Sequence, residues 1–115
     1  MIAQQAQSTS AITAQETYKK LNDTSVVVLD VRTEQEHAQE RIAETPLIPV
    51  QELSERVNEL FQYKNKTIIV YCRSGNRSGA ATNILRDHGF NAVNMSGGIL
   101  RWKAEQLPTI KGDAQ

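Results

Sequence analysis

Three apolar runs divide the chain, and after each one hydrophobic residues return only at wider spacing. Ser25 to Asp30 carries Val26-Val27-Val28-Leu29, Thr67 to Tyr71 carries Ile68-Ile69-Val70, and Asn91 to Met95 forms a third run. Continuous β-branched stretches of this length suit parallel strands buried on both faces. Between the runs, Leu53, Val57, Leu60 and Phe61 recur with the period of one helix face, and so do Ala80, Ala81, Ile84 and Leu85. Leu47-Ile48 is bounded by Pro46 and Pro49, so it predicts a minor strand at most.

Helix ends are written in the polar positions. Thr13 with Glu16, and Thr33 with Glu36, fit the capping box, in which hydroxyl and carboxylate satisfy the free backbone donors of a first turn. The first of these helices is expected to reach about Asn22. A helix from Ser78 to Asp87 stops at Gly89, a C-capping residue, and a last helix from about Ile99 ends before Pro108. Strand and helix therefore alternate, which predicts an α/β domain with a parallel sheet and helices on both faces. Ligands in open sheets of that kind sit beyond the carboxyl ends of the strands. Cys72 occupies one such end, immediately after Tyr71.

Size and charge narrow the possibilities. With 115 residues the chain is expected to form one domain over residues 11–110, flanked by a polar tail at 1–10 and a short tail at 111–115. Its 13 basic and 13 acidic side chains balance, so neither nucleic acid nor an anionic membrane is expected as partner. No stretch approaches the roughly 18 apolar residues of a membrane span. The first ten residues lack the basic and apolar regions of a secretory signal, and the expected setting is cytoplasmic and reducing.

Cys72 is the only cysteine, which excludes an internal disulfide or a Cys-x-x-Cys redox pair. A lone cysteine at a strand end is ordinarily inert packing. The segment Cys72-Arg73-Ser74-Gly75-Asn76-Arg77-Ser78 argues otherwise, because so many polar groups could not be buried cheaply. Two arginines and the positive end of the following helix favour a thiolate, and Gly75 lets the loop curl with its N–H groups inward, as in anion-binding nests. His37 and His88 lack metal-ligand spacing, and no metal or other cofactor is expected; His88 flanks a helix end. Asp30 and Arg32 lie on one face at a strand end. They could take part in the chemistry, but a buried charge needs a partner, which favours a role in bracing the active loop. Trp102, Ile99 and Leu107 are expected in the core, with Met95 or Ser96 at the rim of a pocket.

The residues from Cys72 to Ser78, preceded by the apolar strand, resemble the active-site loop of the rhodanese sulfurtransferases. Val28-Leu29-Asp30-Val31-Arg32 with Glu34-Gln35-Glu36-His37 is similar to that family's early Asp-Val-Arg element and acidic helix, and Ser96-Gly97-Gly98 with Trp102 to its late element. The resemblance implies a rhodanese-like three-layer α/β/α fold whose central parallel sheet has about five strands. It also implies a sulfurtransferase in which Cys72 carries sulfur as a persulfide. Arg73, Ser74, Gly75, Asn76, Arg77 and Ser78 would hold a small anionic donor such as thiosulfate, and the acceptor would be cyanide, a thiol or a sulfur-relay protein. Glu40 to Pro46 departs from the family, which usually has a Gly-His-Ile-Pro-Gly-like run there, so no role of that histidine passes to Arg41.

Two other classes stay open. A non-catalytic persulfide carrier would need the same cysteine. Phosphatases and arsenate reductases of related fold place five residues between cysteine and arginine, whereas four separate Cys72 from Arg77, and the reductase would also need a partner cysteine.

Overall fold

The structure, a computed structural model, describes residues 11–112, so the expected tail at 1–10 lies outside the described residues. Strands β2 (Val26–Asp30), β4 (Thr67–Tyr71) and β5 (Asn91–Met95) fall on the three apolar runs. With the two-residue edge strand β1 (Ala11–Ile12) they form a parallel sheet in the order β1-β5-β4-β2. The register pairs Val26 with Thr67 and brings Asp30 beside Tyr71 at the carboxyl end.

Strand alternation sorts the core into two halves. Leu29, Ile68, Val70, Cys72 and Ala92 face one side, against α3 (Leu53–Arg56) and α4 (Asn76–Asp87). Val28, Ile69, Tyr71 and Met95 face the other, against α1 (Ala14–Lys19) and α5 (Gly98–Ala104). Tyr18 of α1 meets Trp102 of α5 edge-on, with ring centroids 5.9 Å apart. The indole N–H donates to the Pro108 carbonyl at 2.8 Å, which satisfies the polar edge of a fully buried ring. These are the three layers expected. Both capping boxes form, at the starts of α1 and of α2 (Glu34–Gln39). Among the described residues no helix is long and apolar enough to cross a membrane.

Several expectations need correction. The central sheet has four strands where about five were expected, because Leu47 makes only an isolated parallel bridge to Asp30. Pro46 lacks the N–H that would extend the ladder on one side, and on the other the chain turns into a 3₁₀ helix at Val50. The 53–61 segment is not one helix: 3₁₀ turns at Val50–Glu52 and Val57–Tyr63 bracket α3. Leu53 and Leu60 are buried as expected, but Phe61 is 58% exposed and stacks on Phe90. The first helix stops at Lys19, short of Asn22. Ala80 is exposed, so the apolar face of α4 is narrower than its sequence suggests. Met95 is fully buried and therefore core, not rim.

Lys111 and Gly112, expected in a tail, are paired instead. Lys111 lies in β6 (Ile110–Lys111), which pairs antiparallel with β3 (Glu40–Arg41). Gly112 follows it in, donating its N–H to the Gln39 carbonyl at 2.8 Å.

Candidate active site

Cys72 follows the last residue of β4, and strand alternation turns its side chain toward α4. That helix begins at Asn76, two residues earlier than expected, so the second half of the polar loop is its first turn. Gly75 is the capping residue, with φ +110°, a backbone that side-chain-bearing residues rarely adopt. This turn aims the Gly75 N–H at the Cys72 sulfur, 3.1 Å away, and places the Ser78 hydroxyl 3.3 Å from it. Burial pushes the Cys72 thiol up. Hydrogen bonds from the Ser78 hydroxyl and from the N–H groups of Ser78, Gly75 and Ser74 outweigh burial and hold it below the ordinary thiol value.

The loop is clamped from behind by α5. Its first turn donates the Ile99 N–H to the Cys72 carbonyl at 2.9 Å and the Leu100 N–H to the Arg73 carbonyl at 3.1 Å. So close an approach requires Gly98, which sits at φ +60°. A Cβ there would collide first with the Arg73 carbonyl and would also come 2.6 Å from the Cys72 carbonyl oxygen.

The expected polar residues divide by location. Ser78 is fully buried and touches the sulfur, while Arg73, Ser74 and Asn76 are exposed at the mouth of the loop. Arg77 is not a free cation. Its guanidinium forms a two-pronged pair with Glu36 of α2, both bonds 2.9 Å, and that hydrogen bonding holds the Glu36 carboxyl down at about 2. The thiolate is therefore favoured by backbone and hydroxyl donors, with the arginines acting from further out.

Asp30 and Arg32 do not contact the sulfur. Asp30 is fully buried and accepts from the backbone N–H and Nε of Arg32, both at 2.9 Å, from its terminal nitrogen at 2.7 Å, and from the Tyr71 hydroxyl at 3.0 Å. His37 Nδ1 lies 2.8 Å from the same carboxylate. The Tyr71 hydroxyl in turn accepts from the Ile42 N–H at 3.2 Å. The cluster thus ties β2, α2 and the residue preceding Cys72 into one buried unit. Arg41 sits apart, donating to the His37 and Gly112 carbonyls and to Glu44.

A cavity of about 230 Å³ flanks the loop, between Arg32, Arg73, Lys103 and the apolar wall of Ile99 and Leu100. Lys103 is matched by Glu40 at 2.8 Å and Arg32 by Asp30. Among the described residues Arg73 has no ion-pair partner, so it is the unmatched cation at this opening.

Glu36, His37, Tyr71 and Asn94 belong to the site or its support without having been singled out for it by sequence. Glu36 is visible in the sequence as a helix cap and as part of the acidic helix, but not as the partner of Arg77. Tyr71 could have been found from its register with Asp30, since a phenol beside a buried carboxylate has an obvious partner.

Comparison with known proteins points in one direction. A family model described as a rhodanese-like domain matches residues 13–105. A thiosulfate sulfurtransferase of Escherichia coli K12 is 36% identical over 84 residues, covering 73% of this chain and 78% of that one. An uncharacterized protein of Synechocystis is 36% identical over 105 residues, covering 90% of this chain but 58% of that protein, so the chain spans less than two thirds of this relative. Among solved structures, a rhodanese-related protein of Thermoplasma volcanium superposes with a TM-score of 0.80 at 36% identity, covering 87% of this chain and 96% of that one.

Proposed function

This chain belongs to the rhodanese-like domain family, whose members related to it include sulfurtransferases, and we propose that it passes sulfur from thiosulfate, or a similar small anion, to cyanide or a thiol through a persulfide on Cys72. The observation that carries this reading is the ring of donors around the Cys72 sulfur, from Gly75 and Ser78. The thiolate attacks the outer sulfur of thiosulfate, a new S–S bond forms, and the old one breaks as sulfite leaves with its electron pair. The acceptor then attacks the outer sulfur of the persulfide, and Cys72 departs as thiolate. Backbone N–H groups of the loop hold the negative outer sulfur between the two steps, as an oxyanion hole holds oxygen. Arg73, unmatched at the mouth, draws in the anionic donor. Arg77 acts indirectly, because its pair with Glu36 fixes the first turn of α4 against α2. With no second cysteine in the chain, the sulfur is unloaded to an outside acceptor. A reducing, cytoplasmic setting suits a lone thiol that must stay free.

Mass spectrometry after mixing with thiosulfate tests the reading. The protein gains one sulfur atom, cyanide removes it, and Cys72→Ser gains none. No gain on the wild-type protein overturns thiosulfate as donor, and a gain only from a persulfidated protein partner points to a carrier. Hydrolysis of a phenyl phosphate ester faster than sulfur transfer overturns both.

A further inference from the structure

The Ser78 hydroxyl faces two acceptors with one proton. Its oxygen lies 3.3 Å from the Cys72 sulfur and 2.6 Å from Asn94 Oδ1 on β5. The orientation of the Asn94 amide is fixed by its other end. Nδ2 donates to the Gly75 carbonyl at 3.3 Å, and a carbonyl can only accept, so the oxygen must face Ser78. At 2.6 Å the contact to Asn94 lies at the short end of the range for hydroxyl bonds, and it has the stronger hold on the proton.

We propose that Asn94 is a positioning residue that competes with Cys72 for the single Ser78 proton and thereby sets how much of Cys72 is ionised. The inference rests on reading Cys72 as the nucleophile. With Cys72 neutral, Ser78 donates to Asn94 and its lone pair accepts the thiol S–H. When the thiol proton leaves to water, the Ser78 O–H turns to the sulfur and Asn94 Oδ1 loses its donor. Ionisation therefore carries the cost of an unpaired, half-buried amide oxygen. Once a persulfide forms, the charge moves to the outer sulfur, which the backbone N–H groups hold, and the hydroxyl returns to Asn94. Asn94 is in this sense a restoring contact that favours the uncharged inner sulfur.

The charged groups around Cys72 do not substitute for this contact. Arg77 of α4 carries a charge near enough to feel Cys72, but it is matched by Glu36, and Arg32 beyond it is matched by Asp30. Arg73 follows Cys72 in the chain and is exposed. The residues that α5 lays against the loop, Gly98 and Ile99, carry no charge, nor does Asn94.

The test is the pH profile of Cys72 alkylation by iodoacetamide, measured without any sulfur donor; no other thiol in the chain can report. Asn94→Leu removes the competing acceptor, and the midpoint is expected to fall by about half to one pH unit. Asn94→Asp grips the hydroxyl with a charged acceptor and adds a negative charge, and the midpoint rises by about one pH unit. In a Ser78→Ala background, Asn94→Leu leaves the midpoint where Ser78→Ala alone puts it. Unchanged midpoints in both Asn94 variants overturn the proposal. So does an Asn94→Leu shift that survives in full without Ser78, because it must then act through the Gly75 carbonyl. Asn94→Asp is nearly isosteric, so if Asn94→Leu does not fold it supplies the result as the part of its rise that Ser78→Ala abolishes; a rise that Ser78→Ala leaves whole comes from the added charge alone and overturns the proposal. An unchanged midpoint beside normal sulfur uptake overturns this proposal alone, whereas a shifted midpoint without sulfur uptake overturns only the sulfurtransferase reading.

Discussion

Two sites able to hold a negative charge lie at the carboxyl ends of neighbouring strands, and they are built on opposite principles. Asp30, at the end of β2, is sealed in by side chains: Arg32 grips it with two bonds, and Tyr71 and His37 occupy its remaining lone pairs. Cys72, one residue past the end of β4, is surrounded by backbone N–H groups and one hydroxyl, and no cation touches it. A charge pinned by a fixed countercharge is stable and chemically quiet. A charge met only by dipoles stays nucleophilic, because no counterion has to be displaced before it attacks. The same sheet edge therefore holds a structural carboxylate on one side and, on the proposed function, a reactive sulfur on the other.

The largest blow to this comparison falls on the quiet site. Asp30→Ala leaves the buried Arg32 guanidinium unpaired, a change that typically costs about 3–5 kcal/mol. Urea denaturation is expected to show a loss of that order, a large fraction of the stability of a small domain. Cys72→Ser breaks no ion pair and should change stability far less, while on the proposed function it ends persulfide formation. Equal losses in the two variants would erase the distinction between a stabilising anion and a working one.

A smaller effect is expected at the clamp behind the reactive loop. Gly98→Ala must carry a side chain at φ +60° and push against the Arg73 and Cys72 carbonyls; the backbone strain alone costs about 1–3 kcal/mol. Relief of that strain moves the loop, so sulfur uptake should fall more steeply than stability. A variant that loses stability but takes up sulfur at the wild-type rate would show that the donor ring does not depend on α5.

How the two sites read from sequence follows from the same contrast. The strands β2, β4 and β5 and both capping boxes were legible because each is set by residues within a few positions of one another. The reactive loop was legible for that reason too, since its donors come from the segment that carries the sulfur. The sealed site was legible only in part. Asp30 and Arg32 stand two residues apart, but Tyr71 lies 41 residues from Asp30 and joins it through strand register. Arg77 reads from sequence as a free cation because Glu36 is equally remote, and nothing local announces the pair. The β3–β6 ribbon, with two residues in each strand, is too short to leave a periodic trace.

That remote pair joins the two regions, and it offers the smallest and sharpest test. Glu36 caps α2 and holds Arg77 of the reactive loop, with both side chains partly exposed. Glu36→Gln keeps the capping box, which glutamine also satisfies, and removes the charge together with one of the two bonds from Arg77. Solvent screening limits the expected loss to about 1 kcal/mol at neutral pH. The pH dependence fixes its sign. The carboxyl is held down from its ordinary 4.5 to about 2 in the folded protein, so the unfolded chain takes up the proton first as pH falls. The stability that Glu36 contributes is present in full above 4.5 and disappears as pH drops toward about 2. Wild type and Glu36→Gln should therefore differ at pH 7 and converge in acid, when unfolding is followed by urea titration at a series of pH values. A gap that stays constant down to pH 2 would mean that the pair contributes through packing and not charge, and the tie between the two regions would then be one of shape.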